Sequence, residues 1–142
     1  MEERLIKVGI THGDINGIGY EVILKTFSDA RVAELCTPII YGSSKIAAYH
    51  RKALELPPVN MNIISQAEDA GINRVNIINC VDDETKVELA QSTTIAGEAA
   101  FLSLEAAVAD LKRGAVDVLL TAPINKHNIQ NDQFHFPGHT EY

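Results

Sequence analysis

The sequence predicts a layered α/β fold built on a parallel sheet, and three observations carry that prediction. Short apolar runs alternate with helical stretches from one end of the chain to the other. The first run leads through a glycine-rich turn directly into a helix, which is how an α/β unit opens. The 142 residues, 46% hydrophobic and 22% charged, suffice to bury a core of ordinary size and are too apolar for a disordered segment.

In chain order, Leu5 to Ile10 reads as a buried strand ended by His12-Gly13-Asp14. Gly13 to Gly19 is the glycine-rich turn, and Tyr20 to Phe27 has helical spacing, with Val22, Ile23 and Phe27 apolar and Glu21 and Lys25 polar. Pro38 to Tyr41 is a short strand closed by Gly42-Ser43-Ser44, where either serine can cap the next helix, about Lys45 to Leu54. Pro57-Pro58 stops that helix, because proline supplies no backbone N–H. Met61 to Ile64 and Val75 to Ile78 are further strands around a polar loop, Ser65 to Asn73, and Asp82 to Glu88 is a charged surface segment.

Thr93 to Arg113 is the longest helical stretch. Ser92 or Thr93 can cap it, Lys112-Arg113 suit the negative end of its dipole, and Gly114 stands where a C-terminal glycine is expected. Glu98, Glu105 and Lys112 recur every seven positions as one polar stripe, and the rest of the circumference is mostly apolar. Burial within the layered domain explains such a helix, and packing against a second subunit would explain it too. Val116 to Leu120 is the last strand, followed by Thr121-Ala-Pro-Ile-Asn-Lys126. The chain reaches Tyr142 inside a motif-like stretch, so the sequence reads as truncated.

Charge and composition narrow the partners. A net charge of −7, from 12 basic and 19 acidic side chains, argues against nucleic acid or an anionic membrane, both of which need a basic face. A phosphorylated small molecule remains open, because a few local donors can hold it. No run approaches a membrane span, and the acidic start lacks the pattern of a secretory signal, so a cytoplasmic location is expected. Cys36 and Cys80 stand far apart and read as small core residues.

Three stretches can carry chemistry. Gly13, Gly17 and Gly19 do not have the dinucleotide spacing, and no Walker lysine follows; the turn is either a ligand-binding backbone at a helix start or a tight connection. Thr121 to Lys126 lies at the carboxyl end of a predicted parallel strand, where open α/β sheets place ligands, and Lys126 can hold a phosphate or carboxylate. Pro137-Gly-His-Thr-Glu141 is a turn presenting His139 and Thr140 to a substrate hydroxyl or phosphate. His127, His135 and His139 fall within thirteen residues. A His135–His139 metal pair is disfavoured, because Pro137-Gly138 breaks the helix that would align the two rings.

Taken together, the three stretches resemble the 4-hydroxythreonine-4-phosphate dehydrogenase family of pyridoxine biosynthesis. The family's Gly-Asp-Pro-x-Gly-Ile-Gly-Pro-Glu turn is matched by Gly13-Asp-Ile-Asn-Gly-Ile-Gly-Tyr-Glu21, with Ile15 and Tyr20 in place of its two prolines. Thr121 to Lys126 is similar to its Thr-Ala-Pro-Ile-Asn-Lys, and Gly138 to Glu141 to its Gly-His-Thr-Glu substrate motif.

The resemblance implies an isocitrate/isopropylmalate dehydrogenase-like α/β/α fold, of which residues 1–142 would be the amino-terminal portion of a two-domain enzyme. It implies NAD as hydride acceptor and oxidation of 4-phosphooxy-L-threonine, followed by decarboxylation to 3-amino-2-oxopropyl phosphate. A divalent cation (zinc, magnesium or cobalt) would polarise the alcohol oxygen, held by histidines that the family carries beyond its Gly-His-Thr-Glu motif and therefore past Tyr142. His139 and Thr140 match the family's substrate-binding pair, and Lys126 and Asp14 match motif positions; all four are expected substrate-binding residues. A homodimer is implied, and the 142 residues alone are expected to be inactive. Two other readings stand beside this one: a stand-alone phosphate-binding α/β module, and a sister dehydrogenase acting on another phosphorylated four-carbon acid.

Overall fold

A computed structural model describes residues 5–82 and 85–123. Its elements are β1 (Lys7–Thr11), α1 (Gly19–Phe27), α2 (Val32–Leu35), β2 (Thr37–Gly42), α3 (Ser44–Ala53), β3 (Met61–Ile64), β4 (Val75–Asn79), α4 (Thr94–Lys112) and β5 (Val118–Thr121). The strands form one sheet in the order β3-β4-β2-β1-β5, with every neighbouring pair parallel.

Alternation along the strands divides the core between two faces. Ile10, Ile40 and Ile77 pack with Ile23 and Phe27 of α1. Ile39 and Tyr41, whose side chains leave the opposite face of β2, pack with Ala107 of α4 and with Val116. All six residues of β2 are buried, as expected of an inner parallel strand covered on both faces. Strand β5 has only β1 beside it among the described residues, and Val118 and Leu120 are exposed there. Gly9 of β1 sits where a Cβ would press on side chains of Leu119 and Tyr41, so its lack of a side chain lets α4's layer close over the sheet.

The structure resolves the ambiguous caps. Ser43 caps α3, its Oγ accepting from the Ile46 N–H, and Thr93 caps α4, its Oγ1 accepting from the Ala96 N–H. Gly114 takes a φ of +78°, the left-handed conformation that a helix-ending glycine supplies. Some boundaries move: β1 starts at Lys7 and includes Thr11, and β5 starts at Val118, leaving Val116 buried outside the strand. The turn of helix α2 and a 3-10 turn at Ala67–Asp69 were not expected, being too short for periodicity to register.

Helix α4 buries Ala96, Ala99, Ala100 and Leu104, and exposes Ile95 and Leu102 along with Glu98, Glu105 and Lys112. The polar stripe is therefore interleaved with apolar residues. The cysteines are corrected: both are free and only partly buried, Cys36 beside the Val32 carbonyl and Cys80 at the fringe of the packed clusters. Among the described residues, no helix is long and apolar enough to cross a membrane.

Candidate functional site

Strands β2, β3 and β4 all lie on one side of β1, and β5 lies on the other. The order of the sheet thus reverses between β1 and β5, and in open α/β sheets the ligand crevice opens at the carboxyl ends of such a pair. The Gly13–Gly19 turn and the described start of the second stretch, Thr121 to Pro123, stand at that place. Thr11 pairs with Thr121, and the two chains stay together beyond the strands. The Ala122 N–H donates to the Thr11 carbonyl at 3.1 Å, and the Asp14 N–H donates to the Pro123 carbonyl at 2.8 Å. Gly13 has a φ of +67°, and a Cβ there would overlap the carbonyls of Ala122 and Pro123. Two stretches more than a hundred residues apart in sequence are so joined into one wall, with Asp14 half-buried on it.

The turn itself is held by polar contacts. The Asp14 carboxylate accepts the Asn16 N–H at 3.0 Å, and the Gly17 N–H donates to the Asp14 carbonyl at 3.0 Å. Asn16 is 2% exposed, and its amide reaches away from the turn. Its Nδ2 donates to the Gln91 carbonyl at 3.0 Å and to Thr93 Oγ1 at 3.2 Å, and its Oδ1 accepts the Glu88 N–H at 2.7 Å. The Ala90 N–H adds a bond to the Asn16 carbonyl at 2.9 Å. One buried side chain therefore ties the turn to the segment that leads into α4.

Beneath the turn three rings stack. Tyr20 lies between His12, at a centroid distance of 5.2 Å, and His50, at 5.4 Å. His12 Nδ1 lies 2.7 Å from the Gly13 carbonyl, and His50 Nε2 lies 2.7 Å from the Ile15 carbonyl. Each of these nitrogens must be the protonated one, because a carbonyl can only accept. Burial lowers the His12 pKa to about 4, opposed by the Gly13 bond and reinforced by His50. Burial lowers that of His50 as well, opposed by its bond to Ile15 and by the Glu21 carboxylate. Both imidazoles are thus neutral at neutral pH. Tyr20 Oη accepts the Ser43 N–H at 3.1 Å, and burial raises its phenol pKa. Ile15 and Tyr20 are both fully buried.

Next to the wall, a hollow of about 140 Å³ opens between α1 and the end of β5, lined by Val22, Thr26, Leu120, Thr121 and Pro123 among others. The hollow is lined mostly by apolar side chains, and Asp14 is not part of its lining. Of the four expected substrate-binding residues, only Asp14 lies among the described residues; Lys126, His139 and Thr140 lie outside them, as do His127 and His135. Among the described residues, no group of three or more His, Cys, Asp or Glu side chains could hold a metal ion. Sequence reasoning passed over Asn16, His12 and His50. Asn16 occupies the variable position of the motif, and its side-chain partners and that of His50 are distant in sequence; His12 bonds the neighbouring Gly13 carbonyl, but its burial comes only with the fold.

Comparison with known proteins identifies the relatives of this arrangement. The family model described as "Pyridoxal phosphate biosynthetic protein PdxA" matches residues 34–142. The chain is 59% identical, over its whole length, to a 4-hydroxythreonine-4-phosphate dehydrogenase of Bacteroides thetaiotaomicron, and spans 39% of that protein. It is 33% identical over 99% of its length to a D-threonate 4-phosphate dehydrogenase of Cupriavidus necator, spanning 43% of it. A crystal structure of a 4-hydroxythreonine-4-phosphate dehydrogenase from Burkholderia phymatum superposes with a TM-score of 0.84 at 29% identity, covering 98% of this chain and 42% of that one.

Proposed function

Because the chain belongs to the family of the pyridoxal phosphate biosynthetic protein PdxA, we propose that the full-length protein is an NAD-dependent dehydrogenase of 4-phosphooxy-L-threonine. The product after decarboxylation would be 3-amino-2-oxopropyl phosphate. The observation that carries this reading is the 59% identity, along the entire chain, to a protein named for that dehydrogenase activity. Residues 1–142 would then be the amino-terminal portion of a two-domain enzyme working as a homodimer.

The roles follow from donor and acceptor chemistry. Lys126, His139 and Thr140 offer donors to a phosphate and to a substrate hydroxyl, and the Asp14 carboxylate accepts from a hydroxyl or ammonium group. Asp14 is presented at the crevice because Gly13 lets the turn lie against Pro123. NAD would supply the hydride acceptor. The described residues do not furnish a divalent-metal site.

A second reading has its own support in the D-threonate 4-phosphate dehydrogenase relative, whose name points to a sister substrate bearing a hydroxyl where 4-phosphooxy-threonine has an amine. The two are separated by following NADH formation by the full-length protein with each substrate, with and without a chelator. Chelator-sensitive turnover that favours 4-phosphooxy-threonine is the expected result. Preference for the threonate moves the assignment to the sister substrate, and no turnover of either overturns the dehydrogenase reading in favour of a phosphate-binding module. His139→Ala in the full-length protein should raise KM or cut turnover; unchanged values would remove His139 from the substrate contacts.

A further inference from the structure

We propose that His12 and His50 are positioning residues for the glycine turn, holding it against the end of the sheet as neutral imidazoles and releasing it in acid. The geometry is specific. The two rings grip the turn from below at two carbonyls, those of Gly13 and Ile15, which flank Asp14 on either side. They are spaced by Tyr20, with the planes tilted 26° and 22°, so that the three rings form one stack. Ile15 and Tyr20 do not fix φ as proline would, and the turn is held by contacts from β1 and α3.

Protonation acts against this hold for a reason that the hydrogen bonds make plain. His12 Nδ1 is already the donor to Gly13, and its Nε2 has no hydrogen-bond partner among the described residues. A second proton would have to sit on that buried Nε2 as an unsatisfied cationic donor, a costly state in a low-dielectric interior. The titratable groups facing the stack are Glu21 of α1, Tyr49 edge-on from α3, and Cys80 after β4. Only Glu21 favours a charged imidazole, and it faces His50; His50 in turn disfavours charge on His12.

The sign follows from linkage. Both groups have folded pKa values below the unfolded value of about 6.5, so the released turn binds more protons than the docked one. The hold is complete above about pH 6.5 and weakens as the pH falls towards about 4, the value for His12. Carbonyl contacts without a titrating ring would show no such dependence. The variants His50→Gln and His12→Asn keep an amide donor where Nε2 or Nδ1 stands and cannot titrate.

The test is hydrogen exchange of peptides spanning the turn in the full-length protein, expressed as protection factors. Protection of the turn should fall about tenfold or more between about pH 7.5 and about pH 5 while β1 and β2 keep theirs, and each variant should flatten that loss. A flat wild-type profile overturns the proposal, as does a loss that both variants show in parallel with wild type. If His12→Asn does not fold, His50→Gln alone decides.

A second readout is the ratio of KM in wild type to KM in His50→Gln across the same range, in which the substrate's own titration cancels. That ratio should rise in acid while the kcat ratio stays near one; a flat ratio counts against a role in substrate positioning. The exchange result stands whether or not the dehydrogenase reading above, on which only the KM readout rests, survives.

Discussion

Two buried asparagines, Asn16 and Asn76, do the same chemistry at opposite ends of the sheet, and the difference between them separates function from stability. Asn76, early in β4, is wholly buried. Its Nδ2 reaches the carbonyls of Pro38, Gly71 and Arg74 at 3.1 Å, and its Oδ1 accepts from the Gly71 N–H at 2.8 Å and Asn62 Nδ2 at 3.0 Å. Those partners all belong to β2, to β3 and to the loop at the amino end of β4. Asn16 makes an equally full set of bonds, but beside Asp14, at the carboxyl end where the crevice opens. In a parallel sheet the amino end closes the fold and the carboxyl end meets the ligand. Saturated buried amides are therefore not a mark of a site by themselves; their position in the sheet decides what they serve.

That contrast can be broken most forcefully at Gly13. Replacing it by alanine forces a Cβ into the Ala122 and Pro123 carbonyls at a positive φ, and should cost about 4 kcal/mol or more in urea unfolding of the full-length protein. A smaller loss would mean that the turn can lift from β5 freely, and that the joined wall is not a fixed part of the site.

Asn76→Ala comes next. It strips the partners from the Gly71 N–H, from Asn62 Nδ2 and from three carbonyls, that of Pro38 buried inside the sheet, so about 3 kcal/mol of stability should be lost, with KM for the substrate unchanged. Asn16→Ala should cost less, about 2 kcal/mol, because it strands fewer partners: the Gln91 carbonyl, Thr93 Oγ1 and the Glu88 N–H. It should however raise KM, since Asp14 and the segment leading into α4 lose their common anchor. Equal KM effects for the two variants would erase the distinction drawn between the two ends.

The smallest effect is expected on the surface. Arg113 makes a two-pronged contact to Glu68 at 2.7 and 3.0 Å and a third bond to Asp110 at 2.9 Å, all with the guanidinium exposed. The guanidinium holds the Glu68 carboxyl below its ordinary range, but solvent screens most of the gain. Glu68→Gln should leave the unfolding midpoint almost unmoved; a clear drop would show that the Ala67–Asp69 turn depends on this pair.

How much was legible beforehand differs between the two kinds of feature. Among the described residues, every strand and all helices of nine residues or more are legible from apolar runs, helical spacing and end signals, because those signals are local and repeat within a few positions. Helix α2 escaped because four residues make one turn with one buried side chain, Ala33. Asp14 was picked out because its motif is contiguous. Asn16 was not, because its partners at Glu88, Gln91 and Thr93 lie more than seventy positions away.

The sequence by itself determined the class of fold, the order of its elements and the family, since periodicity, caps and motif strings are written along the chain. Only the tertiary structure decided that β5 returns to the far side of β1. That placement depends on which strand edge remains open after β2, β4 and β3 have paired, and no local pattern records it. It also decided that His12 and His50 face the turn's carbonyls as neutral rings. A histidine's charge state is set by the burial and partners it meets in space, and these come from residues as far apart as Gly13 and His50.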